Sequence, residues 1–390
     1  MRLSRVAAGA LGLLLLSGCS ATVQGTANPD PVVLATTPAA ALVPAPPVSV
    51  GTAIEARRLA GATTLARALL PDRTDSCPSG PFTEPERVQS SALFTGRSVK
   101  PVLDRYEFVT AWAQCSRIPD GLSTTALVME VSDPESATKA AAELDTATTA
   151  ADATPVTLPS GLTARVRVGV DRESVQVWTS VGRLVAYLVH DTAVGRGAEE
   201  AERLMADQTA LLRTFTPTPQ AEVPTLPIDP YGLQNLVVNA PGQRSPLSGS
   251  YDLEGYLRFA LDPELERKAL LANGFEGMHG KYSYEPTSTR TYQAAVWRFP
   301  SSKQTNAVHM AFAEAERAGL ETRPFTLPAI PEAPCFAIPN PTTSGLQYIQ
   351  RCYVGYGQYL AYVDVGGLTS PEDTAIMNDL LPRQRDLIDG

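Results

Sequence analysis

Ser136 and Lys139 in "SDPESATK" have the S-x-x-K spacing of acylating serine enzymes, in which an amine takes the proton of the attacking hydroxyl. The S-D-N and K-T-G partners of that chemistry do not follow, and both residues fall inside a segment that reads as a capped helix. A helix surface is therefore expected there. No G-x-S-x-G elbow occurs in the chain. "GFEGMHGK" (274–281) sets glycines before a lysine, but their spacing is not that of a phosphate loop, and Tyr282 replaces the hydroxyl that would hold magnesium. It reads as a flexible turn between a helix and a strand. The histidines are scattered: His190 follows a strand, His279 sits in that turn and His309 rides a helix. Neighbouring strand residues face opposite ways, so Asp191 is badly placed to orient His190, and all three are expected at solvent edges. No C-x-x-C spacing marks a metal site and no cofactor motif is present, so the chain is expected to be non-catalytic, without metal or cofactor.

The cysteines carry the chemistry for which the chain is built. Arg2 and Arg5 precede an apolar run from Val6 to Leu16, eleven residues and too short to span a bilayer, and "LSGC" closes at Cys19. This order resembles the lipobox of bacterial lipoproteins, in which the thiol takes a diacylglyceryl group and the Cys becomes the first residue after cleavage. Two acyl chains hold a protein stably where one does not, which predicts a lipid anchor (palmitate among its chains) on the extracytoplasmic face of the cell membrane. Without residues 1–18 the chain carries 30 basic against 41 acidic side chains, a net charge of −11. Such a surface is repelled by nucleic acid and by anionic lipid heads. The remaining cysteines, Cys77, Cys115, Cys335 and Cys352, allow three pairings; outside the membrane we expect Cys77–Cys115 and Cys335–Cys352, each within one half of the chain.

The elements that position these residues come twice. Residues 19–50 read as an Ala/Thr/Pro-rich tether, and a Pro-rich linker at 216–230 divides a first module, 51–215, from a second, 231–390. In the first, "ALVMEV" (126–131) is a strand, followed by a helix with Ser132 as cap, Pro134 in its first turn and Glu135 completing a capping box. Ala137, Ala140, Ala141 and Leu144 are its apolar stripe. In the second, "AAVWRF" (294–299) and a helix with Val308, Phe312 and Ala315 take the matching places. Gly182-Arg183 and Gly357-Gln358 then turn two hairpins of type II′. A helical stripe of Ala201, Leu204, Met205, Leu211 and Leu212 returns 176 residues later as Met377, Leu380, Leu381, Leu387 and Ile388, with Gln208 and Gln384 equivalent. Ser370, Pro371 and Asp373 are expected to start this last helix. The fold class is α+β: two tandem duplicated modules, each a mainly antiparallel sheet packed with helices on one face in a two-layer sandwich. "LVAYLV" (184–189), apolar on both faces, points to cover on both. "AIEARRLAGATTLARALLPD" is placed as a helix before the first module.

The "LSGCS" lipobox, "ATVQGTANP", the paired "GRLVAYLV" and "GQYLAYVDV" hairpins and the run "CYVGYGQYLAYV" resemble a family of two-module lipoproteins of unknown function from mycobacteria and their mycolic-acid-bearing relatives. More distantly, the hairpin-plus-helix resembles extracellular sensor-like domains of mycobacterial Ser/Thr kinases. An excess of 27 Arg over 5 Lys agrees with a high-GC genome. The resemblance implies a cell-envelope location and a duplicated α+β fold; it brings no substrate and no catalytic residue. Tyr353, Tyr356, Tyr359 and Tyr362 crowd the second hairpin, as ordinary strand packing or as a candidate recognition surface. Three functions stand: a binding, sensor-like or scaffold lipoprotein whose partner is another envelope protein or a cell-wall component; a carrier of an apolar or lipid ligand in a cleft within or between modules; and a cell-wall hydrolase.

Overall fold

Runs of apolar residues bounded by glycine turns make the strands, and one order of strands is used twice. A computed structural model describes residues 48–77, 79–118, 121–260, 262–318, 322–342 and 345–390. Cys19, the 1–18 segment and tether residues 19–47 lie outside the described residues.

The first sheet contains β1 (Asp75–Ser76), β2 (Gly80–Phe82), β3 (Thr110–Arg117), β4 (Ser123–Glu130), β5 (Thr154–Thr157), β6 (Thr163–Val168), β7 (Glu173–Val181) and β8 (Leu184–Thr192). The second contains β9 (Gln243–Arg244), β10 (Gly249–Tyr251), β11 (Gly277–Tyr284), β12 (Thr291–Arg298), β13 (Arg323–Leu327), β14 (Ile330–Thr342), β15 (Gly345–Tyr356) and β16 (Tyr359–Leu368). The orders are β1-β3-β4-β8-β7-β6-β5, with β2 on β3, and β10-β11-β12-β16-β15-β14-β13, with β9 on β11. Every matching strand has the same neighbours, which is the signature of tandem duplication. Gly182 and Gly357 hold φ of +55° and +53° at the first position of two-residue loops, the left-handed conformation that a type II′ turn requires there.

Helices lie on both faces of each sheet, which corrects the two-layer expectation. The stripe of α5 (Pro134–Thr148) packs on the face of Leu127, Met129, Val185 and Tyr187, and α6 (Gly197–Thr214) on the face of Val128, Leu184, Ala186 and Leu188. In the second half α9 (Ser302–Ala318) covers one face and α10 (Ala375–Asp389) the other. The reason is local: strands apolar at both parities leave no face for water.

Two helix starts also differ from expectation. Pro134 is fixed as the first helical residue, so the cap falls to Asp133, whose carboxylate accepts from the N–H groups of Glu135 and Ser136, each at 2.9 Å. Ser132 donates to Asp133 instead, at 3.0 Å. The last helix begins at Ala375 behind Thr374; Ser370 and Pro371 make a preceding turn, and Asp373 is held by Arg290 at 2.8 Å.

The two halves share one core. The helix α1 (Val48–Gly61), expected ahead of the first module, lies between the halves: Leu59 and Ala60 are buried with Trp112 of the first sheet and with Tyr251, Tyr256 and Leu257 of the second half. Arg258 reaches its C-terminus, donating from Nε to Ala60 O at 2.9 Å and from Nη2 to Gly61 O at 3.1 Å, while Gln114 of β3 donates to the Arg258 carbonyl at 3.2 Å. Burial lowers this guanidinium to about 10. The halves meet through non-equivalent faces, the α6 side of the first sheet and the α9 side of the second.

Gln208 and Gln384 are equivalent latches. Gln208 accepts from Thr64 N–H at 2.9 Å and donates to Ala62 O at 2.8 Å; Gln384 accepts from Val238 N–H at 2.9 Å and donates to Leu236 O at 2.7 Å. Cys77 is bonded to Cys115 (Cα–Cα 5.1 Å) and Cys335 to Cys352 (4.1 Å), the latter pair directly opposite on β14 and β15.

Candidate functional site: an aromatic cleft in the second half

The period of two along β15 puts Arg351 and Tyr353 on one face, and antiparallel pairing sets them directly opposite Asp364 and Tyr362 of β16. Ala295 of β12 stands opposite Tyr362, so Trp297, two residues on, joins the same face. This face is the back wall of a cleft of about 470 Å³. Phe312, Ala315 and Glu316 of α9 form a second wall. The third comes from the segment around α7 (Leu253–Tyr256) and α8 (Pro263–Ala272), which supplies Tyr256, Phe259, Asp262 and Glu266.

Four rings close a circuit at the base: Trp297 stacks on Tyr362 at 4.8 Å, Tyr362 lies 6.3 Å from Tyr353, Tyr353 6.2 Å from Phe312, and Phe312 5.6 Å from Trp297. Tyr256 meets the Trp297 edge at 5.5 Å. Arg351 lies over the Tyr362 ring at 5.4 Å. Its Nε and Nη2 hold both oxygens of Asp364 at 2.8 and 2.6 Å, and Nη1 reaches Glu316 at 2.9 Å. Burial opposes this charge, yet the Asp364 and Glu316 carboxylates carry the guanidinium well above its ordinary value. Tyr353 donates to Glu316 at 3.1 Å and Tyr256 to Glu266. Burial pushes the phenols of Tyr256, Tyr353 and Tyr362 up, so they act as neutral donors. The Trp297 indole N–H, in a side chain 1% exposed, has no hydrogen-bond partner among the described residues.

The duplication shows how the cleft arose. Aligned on the hairpin glycines, Trp178 and Tyr187 correspond to Tyr353 and Tyr362, and Gln176 and Val189 to Arg351 and Asp364. In the first half Trp178 stacks on Tyr187 at 4.2 Å and Phe94 lies 5.5 Å from Tyr187, so the equivalent face is filled with rings. In the second half an ion pair replaces the uncharged Gln176–Val189 pair, and the tyrosines stand apart.

Of the four tyrosines expected to act together, Tyr353 and Tyr362 are buried in the cleft wall, whereas Tyr356 and Tyr359 flank the hairpin turn. The members on each strand stand three positions apart, an odd spacing that sends them to opposite faces. Arg351, Asp364, Glu316, Trp297 and Glu266 were not singled out from the sequence. The signal available was the 175-residue alignment, which sets a charged pair where the first module has Gln176 and Val189.

The other candidates are structural. Ser136 donates to the capping carboxylate of Asp133 at 2.6 Å, and Lys139 pairs with Glu135 at 2.6 Å on an exposed helix surface. The expectation of solvent-edge histidines is corrected for two of the three. His190 is buried at the end of β8, where Glu200 (2.8 Å) and Thr124 (2.8 Å) satisfy both ring nitrogens. His279 is buried inside β11, because the glycine-rich stretch turns only at Gly274 and becomes strand from Gly277. Burial lowers both, His279 to about 4. His309 is half-buried on α9.

No helix among the described residues is long and apolar enough to cross a membrane. No curated protein matches the chain. The extracellular domain of PknH from Mycobacterium tuberculosis shows a likeness at 14% identity, with 31% of this chain and 69% of that one covered and a TM-score of 0.26, too slight to bear on function. Residues 43–228, which hold the first sheet and end before the cleft-bearing half begins, match the family model described as a domain of unknown function, DUF7373, N-terminal.

Proposed function

We propose that this protein is a lipid-anchored, non-catalytic binding protein of the cell envelope whose second module holds a small molecule. The cleft carries this reading. Its volume of about 470 Å³ lies in the range of small-molecule sites, and it combines aromatic walls with a few fixed polar groups. The "LSGC" stretch at Cys19 supports the anchor and its extracytoplasmic side, with residues 20–47 as the tether. The engagement of Ser136 and Lys139 in a helix cap and a surface ion pair supports binding over acyl chemistry. The cleft favours a small ligand over a scaffold role, since a docking platform for protein needs no concave aromatic site of this size.

Ala315 lines the cleft from α9 and is half-exposed, so Ala315→Trp fills the site from its edge without entering the shared core. Small-molecule fractions of the organism's own envelope should raise the melting temperature of the full chain, and the folded Ala315→Trp protein should show no such rise. A shift of equal size in the variant, or none in the wild type, overturns the reading.

A further inference from the structure

The cleft walls carry an uneven charge. Asp262, Glu266 and Glu316 line it against a single guanidinium, Arg351, and Asp364 stands behind that guanidinium. Among the described lining residues there is no second cation. Arg351 is held by two carboxylates through three of its nitrogens, so an incoming anion would have to displace Asp364 or Glu316 to use it. Six rings (Tyr256, Phe259, Trp297, Phe312, Tyr353 and Tyr362) surround this negative excess with low-dielectric walls, which strengthen its field. Aromatic faces attract alkylated cations by their quadrupoles, and the attraction grows when water is excluded.

We propose that the cleft binds a small organic cation, an alkylated ammonium. The proposal rests on the cleft being the binding site and adds the chemical class of its ligand. Carboxylates and ring faces recognise the cationic head. Phosphate-bearing and carboxylate ligands are excluded by the same field.

Three probes of one shape separate charge from bulk: choline, its neutral isostere 3,3-dimethylbutan-1-ol, and the anion 3,3-dimethylbutanoate. In calorimetric titrations of the full chain choline should bind at least tenfold tighter than the neutral alcohol, and the anion should not bind. Glu266→Gln, which keeps one acceptor oxygen for the Tyr256 hydroxyl, gives up the exposed bond from the Asp262 N–H and removes charge, should weaken choline three- to tenfold and leave the affinity for the alcohol unchanged. Equal binding of choline and the alcohol overturns the cation proposal while leaving the cleft reading intact. So does tighter binding of the anion, or choline affinity unaltered by Glu266→Gln. Binding of no probe also overturns it, and the envelope-fraction experiment with Ala315→Trp then judges the cleft by itself.

Discussion

His279 enters the fold as a neutral base. Its Nδ1 lies 2.9 Å from the Ser250 hydroxyl and 4.0 Å from the Asp229 carboxylate, and its buried Nε2 has no partner among the described residues. Burial lowers it from 6.5 to about 4, so between those values the unfolded chain takes up a proton that the native state refuses. Its contribution to stability is therefore complete above pH 6.5 and is lost as pH falls toward 4. His279→Gln, which can still meet Ser250, should lose about 2–3 kcal/mol less than the wild type between pH 7 and pH 4.5 in urea unfolding. Parallel pH profiles of the two proteins would count against this. His190 is lowered by burial in the same direction and adds a slope that the substitution leaves in place. Residue type alone did not reveal either environment. A histidine after an apolar run reads equally as a strand edge, and only the pairing of Thr124 with His190 and the approach of Glu200 from α6 turn that position inward.

At the scale of elements, the strongest local device is the glutamine latch. Each Gln sits buried on the terminal helix of its module and closes two hydrogen bonds on a neighbouring backbone segment. Gln384→Ala would leave the buried Val238 N–H and the part-buried Leu236 carbonyl without their partner and should cost about 2–4 kcal/mol. Gln208→Ala should cost a similar amount, because its two bonds have the same geometry. Chemical denaturation of both variants checks the equivalence, and a loss under about 1 kcal/mol at either site would show that the segment finds other partners. Much at this scale was legible in the sequence: the hairpin glycines, the helical stripes and the correspondence of Gln208 with Gln384 all rest on short-range periodicity or a turn's φ requirement. Helix starts were less legible. Ser132 and Asp133 are both good caps, and Pro134 decides between them only when its fixed φ is taken as the first helical residue.

At the scale of the molecule, α1 is the joint. Its end is held by Arg258 of the second half, and Trp112 of the first sheet meets Phe259 at 5.8 Å and Tyr251 at 6.3 Å. Residues 231–390 alone would expose these rings and leave Arg258 without the carbonyls of Ala60 and Gly61. Calorimetry of residues 48–390 should accordingly show one cooperative transition, and residues 231–390 expressed alone should show none. An independent transition for that fragment would mean that the second half owns its core. The sequence by itself determined the duplication and the hairpins, because these depend on neighbours along the chain or on repetition that can be counted; of the three disulfide pairings that it allowed, the structure holds the one confined within each half. The sequence also held the apolar strands whose two faces both required cover. The tertiary structure alone decided that α1 lies between the halves, that their non-equivalent faces share a core, and that Arg351, Asp364, Glu316, Trp297 and Glu266 converge on one cleft. Such contacts join residues far apart in the chain, and burial selects them by the fit of whole surfaces, which leaves no period or spacing to read.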